Sequence, residues 1–293
     1  MIRKSVIILL IFSLLFPCLP RRAGALDASQ GEGISLPIIM YHEIKHSKLG
    51  KDVVSPWEFE SDLKYLKRKD YNTVTMHDLT DWFYNRAPLP PNPIMLTFDD
   101  GYLSTYKYAL PLLKKYDMKI VLSLIVKNTD DFTRNPDTNI DYSHVTWAQL
   151  NEMLDSGLVE VQNHSYNLHV VKNGRYGCVR KKSESLAVYE QILKTDLTKA
   201  QSEIFQQTGV LPTTFAYPYG RYSEDTDTIL RALGFQATLS CRYGINVLSH
   251  EKTPDLYRLK RLCRAHGNGI GALLDEAYKT IKKKPPAEPQ VLK

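Results

Sequence analysis

Two adjacent carboxylates, Asp99 and Asp100, close the apolar stretch Ile94-Met-Leu-Thr-Phe98. Two imidazoles, His164 and His169, lie five residues apart in Asn163-His-Ser-Tyr-Asn-Leu-His169. One carboxylate with two imidazoles can hold a divalent ion and leave positions open for water and substrate, and the second carboxylate is then free to act as a base. Adjacent carboxylates disfavour each other's ionisation unless something positive offsets them, and a cation supplies that reason. The histidine spacing sets a structural condition. Five residues separate two side chains by about 140° around a helix and put them on opposite faces of a strand. Both can reach one ion only from an irregular turn, which the intervening Ser165-Tyr166-Asn167 permits. Taken alone, Asp100-Gly101 is also an ordinary turn signal, and two nearby histidines can be ordinary polar residues. The combination is a hydrolase's inventory.

The elements that must carry these residues alternate along the chain. Leu36 to Tyr41 reads as a buried strand that ends at His42. Ser55-Pro-Trp-Glu58 is a helix start, with Ser55 as N-cap, Pro56 at the first helical position and Glu58 closing a capping box. Phe59, Leu63 and Leu66 then recur on one face, and the helix is expected to end near Lys69. Strands are expected at residues 73–75, 94–98, 120–126, 158–162, 213–216 and 236–239, with helices at 77–84, 104–115, 146–155, 186–207 and 224–233. Gly157, Gly209 and Gly234 each close a helical pattern, as a left-handed C-terminal cap requires. Trp147 with Leu150 and Met153 forms a core-facing stripe.

Such alternation predicts an α/β fold with parallel strands, either an open doubly wound sheet or a barrel. His42, Asp99, Asp100, His164 and Tyr219 all follow directly on predicted strands. They would collect at the strands' C-terminal ends, where barrel enzymes place their sites. The expected fold is therefore a distorted or incomplete (β/α) barrel.

The first residues read as an export signal over 1–25: Arg3 and Lys4, an apolar run from Val6 to Phe16, and the small-residue site Ala23-Gly24-Ala25. A polar leader is assigned to 26–35, the folded domain to 36–281 and a basic, Pro-rich tail to 282–293. This organisation predicts a secreted or cell-surface protein, held peripherally at the membrane if the first segment is retained. The formal charge is +6, but four of the 38 basic residues lie in that segment, leaving 34 against 32 acidic ones. No clustered basic surface is visible, so nucleic acid is not an expected partner. Cys178, Cys241 and Cys263 lack the close pair spacing of a zinc site. Cys241 and Cys263 could approach across terminal strands, but sequence does not fix the distance a disulfide needs.

Thr97-Phe-Asp-Asp-Gly101, His164-Ser-Tyr-Asn-Leu-His169 and, in part, Phe215-Ala-Tyr-Pro-Tyr-Gly220 resemble three motifs of the polysaccharide deacetylase family, the NodB-homology group also called carbohydrate esterase family 4. The similarity spans roughly residues 36–264. Met40-Tyr-His42 and the Phe-Ala-Tyr-Pro-Tyr-Gly variant resemble the branch acting on poly-N-acetylglucosamine and cell walls. The resemblance implies a NodB-type barrel that removes N-acetyl groups from an N-acetylglucosamine polymer such as poly-N-acetylglucosamine or peptidoglycan, releasing acetate. It implies that Asp100, His164 and His169 hold a divalent metal, zinc foremost with cobalt or nickel as substitutes. Asp99 would be the base, and the backbone N–H of Tyr219 would stabilise the oxyanion. Tyr217, Tyr166 and His42 are candidate substrate-binding residues. Two other readings are an O-acetyl polysaccharide esterase and a catalytically decayed carbohydrate-binding protein. Two departures stand out. Many family members carry an arginine that orients the catalytic aspartate where this chain has Ala216, and the histidine motif that furnishes the general acid has no clean counterpart, with His266 only in about the right region.

Overall fold

A computed structural model describes residues 33–282; the expected export signal, most of the leader and the tail beyond Lys282 lie outside the described residues. Eight parallel strands make the path of one curled sheet, with the short Asn72–Thr73 paired parallel to the start of the second as a ninth: β1 (Ile38–Tyr41), β2 (Pro93–Asp100), β3 (Ile120–Leu124), β4 (Val159–Asn163), β5 (Thr214–Ala216), β6 (Ala237–Leu239), β7 (Leu256–Leu259) and β8 (Leu262–Cys263). Their spatial order is β7-β6-β5-β4-β3-β2-β1-β8. The two edge strands are therefore neighbours in sequence. β7 pairs with β6 at one edge, β8 pairs with β1 at the other, and only Lys260 and Arg261 separate them. Chain continuity bridges the seam that hydrogen bonds leave open, which makes this the incomplete (β/α) barrel expected of the sequence.

Eight α-helices accompany the sheet: α1 (Pro56–Arg68), α2 (Met76–Asn85), α3 (Leu110–Tyr116), α4 (Val126–Arg134), α5 (Trp147–Asp155), α6 (Leu186–Thr208), α7 (Thr226–Ala232) and α8 (Ile270–Lys282). The expected capping box opens α1, with the Ser55 side chain accepting from the Glu58 N–H and Glu58 reaching back to Ser55. Gly209 ends α6 at φ +74° in the left-handed cap the sequence called for. Trp147 is buried in the core, its indole N–H donating to Asp130 at 2.9 Å.

Differences from the sequence reading have local causes. The strand expected from Leu36 begins at Ile38, because Pro37 has no N–H to donate. Ile34–Leu36 instead pairs antiparallel with Asn246–Leu248, so the polar leader ends inside a strand. β3 stops at Leu124, and Val126 opens α4, a helix that the expected strand 120–126 overran. The helix expected over 104–115 is a π-helical turn, Thr105–Ala109, leading into α3.

Alternation along β2 sorts its side chains. Ile94, Leu96 and Phe98 pack outward into the core shared with α1 and α3, whereas Met95 packs in a separate cluster with Ile38, Val121, Ala216 and Leu239. Asp99 continues the second, inner row. Below the seam, Asp62 of α1 accepts from Tyr41 Oη at 2.9 Å, Arg264 Nε at 2.7 Å and the Ile270 N–H at 3.1 Å. This buried network ties β1, α1, the end of β8 and the start of α8 together, and so fixes the segment that carries Arg261.

Candidate active site

Asp100 Oδ1 lies 3.4 Å from His164 Nε2 and 3.5 Å from His169 Nε2. One ligand atom from each of these residues falls within 4.8 Å of the others. The backbone is bent to achieve this. Strand parity would send Asp100 outward with Phe98, but its φ of +74° breaks the alternation. His164 follows β4 directly, and Ser165, at φ +83°, turns the chain so that His169 returns from the loop. Tyr219, beside His169 with ring centroids 4.1 Å apart, is also left-handed at φ +58°. Left-handed non-glycine residues carry a steric cost, and such strain gathers where surrounding structure enforces a functional geometry.

That enforcement is visible. The His144 ring Nδ1 hydrogen-bonds the Asp100 carbonyl at 3.0 Å, its Nε2 meets Asn128 at 3.1 Å, and the Val145 N–H donates to the Gly101 carbonyl at 2.9 Å. On the histidine side, the Asp196 carboxylate of α6 accepts from the Tyr166 and Asn167 N–H groups, both at 2.8 Å. Burial pushes the Asp196 carboxyl up to about 6, only partly countered by those two N–H donors. Asp196→Ala should loosen the turn between the histidines and weaken metal binding about tenfold, the lower end of what losing a supporting contact costs. Titration of the metal-stripped variant with zinc measures this, and an unchanged Kd would refute it.

The donor set suits a divalent ion. His164 Nδ1 hydrogen-bonds the Ala216 carbonyl at 2.8 Å, which commits that nitrogen and turns Nε2 toward Asp100. Asp100 Oδ1 is buried with no hydrogen-bond donor, an orphan that a cation would satisfy. Burial pushes the His169 imidazole down to about 4, so it is neutral, as a ligand must be. Burial opposes ionisation of Asp100, but the His164 imidazole beside it outweighs that and holds the carboxyl below its ordinary range.

Asp99 is held by a residue the sequence reading missed. Arg261, 1% exposed, grips it with both arms: Nη1 to Oδ1 at 2.8 Å and Nη2 to Oδ2 at 2.7 Å, with Nε donating to the Ser240 carbonyl at 2.9 Å. Burial works against the Asp99 charge, but Arg261 first and His164 next outweigh it and keep the carboxyl ionised. The expectation that this aspartate lacks an orienting arginine is therefore corrected. The guanidinium comes from the seam between β7 and β8, 162 residues along the chain, rather than from position 216. No local spacing links Arg261 to Asp99, and within a stretch that also holds Arg258, Lys260 and Arg264 nothing in the sequence singles it out.

The remaining candidates divide. His42 lies at the end of β1, 20% exposed on its side chain, its Nδ1 3.9 Å from Asp52 and without a hydrogen-bond partner. Tyr219 is at the centre. Tyr217 is not available to a sugar: it is 0% exposed, with its hydroxyl on Asp227 and Thr238, because it faces the cluster built by Tyr189, Phe215 and Leu230. Tyr166 packs against the core around β3 and β4, and Lys199 caps its ring at 3.7 Å. His266 sits on α1's capping glutamate, Nδ1 to Glu58 at 2.9 Å. Cys178, Cys241 and Cys263 are all free thiols.

A curled parallel half-barrel with a carboxylate and two imidazoles converging at its strand ends, and a second, arginine-held carboxylate beside them, has the layout of a mononuclear metallohydrolase. Residues 86–238 match the family profile of polysaccharide deacetylase, and the chain belongs to that family. It is 26% identical over 211 residues to the poly-beta-1,6-N-acetyl-D-glucosamine N-deacetylase of Staphylococcus epidermidis, an alignment covering 71% of this chain and 67% of that protein. Among solved structures, a de-N-acetylase from Aggregatibacter actinomycetemcomitans superposes with a TM-score of 0.70 at 25% identity, covering 83% of this chain and 99% of the other. IcaB from Ammonifex degensii superposes with a TM-score of 0.67 at 27% identity, covering 85% and 97%.

Proposed function

We propose that this protein is a metal-dependent N-deacetylase of β-1,6-linked poly-N-acetylglucosamine, exported by its N-terminal segment and acting outside the cytoplasm. The observation that carries the reading is the pairing of an ionised, arginine-held Asp99 with the Asp100, His164 and His169 cluster. The named activity of the staphylococcal relative supports the polymer. Asp100, His164 and His169 would hold the ion, zinc being the best match to one carboxylate and two imidazoles, with cobalt or nickel able to replace it. Such an ion lowers the pKa of water to about 7 and polarises the acetamide carbonyl.

The chain's own groups do the rest. Asp99 accepts the proton of the attacking water, and the Tyr219 N–H faces the oxyanion formed at the acetamide carbonyl. The C–N bond then breaks, and the departing sugar nitrogen needs a proton. His144 has both ring nitrogens engaged and His266 is tied to Glu58, whereas His42 keeps an Nδ1 without a hydrogen-bond partner and leaves β1 where the paired strand β2 presents Asp99 and Asp100. His42 is assigned that proton transfer. Acetate and a free amine are the products.

The test is acetate release from β-1,6-linked N-acetylglucosamine oligomers by metal-stripped protein reloaded with zinc, cobalt or nickel. Asp99→Asn should keep stoichiometric metal and lose about 10²- to 10⁴-fold in kcat, the usual contribution of a positioned base. Release from an O-acetylated polymer with no new amine would select an esterase instead. Glycan binding without any release in metal-replete protein would select a binding protein.

A further inference from the structure

Beyond the motif residues, a short hairpin reaches the same site. Val171–Lys172 pairs antiparallel with Arg175–Tyr176, and Tyr176 stands directly opposite Val171, so the two share one face. That face is open: Val171 is 62% exposed and Tyr176 41%. The Tyr176 ring lies 5.0 Å from the Tyr219 ring, itself 37% exposed and 4.1 Å from the His169 ring. An uninterrupted aromatic and aliphatic strip thus leads outward from the metal-ligating cluster. At its edge the Arg221 guanidinium sits 5.5 Å from the Tyr176 ring centroid.

The strip is built to hold its shape. Arg175, buried on the opposite face of the hairpin, pairs with Glu184 and donates to the Val179 carbonyl at 3.1 Å. The Gly177 N–H donates to the Val170 carbonyl at 3.0 Å. Gly177 has φ +59°, and a Cβ there would stand 2.9 Å from the Pro218 carbonyl oxygen, so the hairpin's end and the turn bearing Tyr219 are in direct contact. A rigid, half-exposed tyrosine anchored beside a reacting centre orders little on binding, which is the property of a preorganised recognition surface.

We propose that Tyr176, with Tyr219 and Val171, forms a sugar subsite that takes the pyranose ring next to the one being deacetylated. The inference rests on the glycan reading above. A pyranose presents apolar C–H faces and a rim of hydroxyls. The Tyr176 ring offers the first a flat apolar surface, and Arg221 offers the second a fork of donors. Continuity with the His169 and Tyr219 pair fixes the occupant as a further residue of the same chain rather than a separate ligand.

Full-length Tyr176→Ala should raise KM for a β-1,6-linked N-acetylglucosamine pentamer three- to tenfold, the equivalent of one lost aromatic contact, and raise it less than twofold for the N-acetylglucosamine monosaccharide, which has no neighbouring ring to place there. Tyr176→Trp should keep the wild-type length dependence. An equal change at both lengths, or none, would overturn the subsite. Calorimetric titration of Asp99→Asn with the pentamer, with and without Tyr176→Ala, reads the subsite apart from turnover. If wild-type protein releases no acetate but the added Tyr176→Ala weakens pentamer binding, the subsite stands and the deacetylase reading falls. Normal acetate release with pentamer affinity indifferent to Tyr176, or no measurable pentamer binding at all, sinks the subsite alone.

Discussion

Arg261→Met should reduce kcat by about 10²- to 10⁴-fold, as much as replacing the base it holds. In the wild type both partners are buried, and the bidentate fork fixes the orientation of the Asp99 carboxylate as well as its charge. Without the guanidinium the carboxylate stays desolvated and unpaired, and breaking a buried pair in this way costs about 3–5 kcal/mol of stability. The sign of the pH effect follows. The folded-state pKa of Asp99 is lowered, so its stabilising contribution is present above the unfolded pKa of about 3.9 and is lost as pH falls through the lower folded value. In the variant, burial is no longer offset by Arg261, and the pKa rises. The acid limb of kcat/KM should then move upward in pH, and the stability gained above about pH 3.9 should disappear. Arg261→Lys retains the charge but not the fork, and should fall between the two. Profiles of kcat/KM against pH, with thermal unfolding of each variant, measure both effects. Wild-type turnover with an unmoved acid limb in Arg261→Met would end the assignment of Arg261 as the residue that orients the base.

His164→Ala should abolish stoichiometric metal binding and bring acetate release to background. This imidazole is buried, its Nδ1 is committed to the Ala216 carbonyl, and its Nε2 faces the orphaned Asp100 oxygen. Its removal therefore takes one of three donors and opens a gap no neighbour fills. Metal content after reloading gives the direct answer. Thermal unfolding gives a second, because a ligand that binds only the folded chain stabilises it by mass action, so zinc should raise the Tm of stripped wild-type protein and leave that of His164→Ala unmoved. Asp99→Asn is the contrast, keeping the zinc-dependent rise in Tm while losing rate. Full metal occupancy in His164→Ala would remove it from the ligand set.

What the sequence determined was most of what depends on neighbours along the chain. The capping box at Ser55 and Glu58, the left-handed cap at Gly209 and the apolar stripe with Trp147 were legible because each needs only a few consecutive residues. The convergence of Asp100, His164 and His169 was legible for a similar reason: Asp99 and Asp100 sit together, His164 and His169 five apart, and each pair begins at a strand's end in a βα alternation, which must bring strand ends to one mouth. The strand ends also placed His42 and Tyr219 at that mouth. Tyr217 was misjudged because proximity in sequence to the Pro218 turn says nothing of which way a side chain faces; it ends a strand whose neighbours pack against α6 and α7.

The tertiary structure decided what depends on contacts between remote segments. Arg261 reaches Asp99 because the edge strands β7 and β8 are consecutive and pair with opposite ends of the curled sheet, placing the residue between them at the seam. Tyr176 reaches Tyr219 because a hairpin folds back across 43 residues onto the Pro218 turn. Asp100 joins the histidines only through a left-handed backbone that His144 and Val145 hold from another loop. Periodicity reports which side chains turn inward; which distant side chain each then meets is set by how the sheet closes, and only the folded chain contains that.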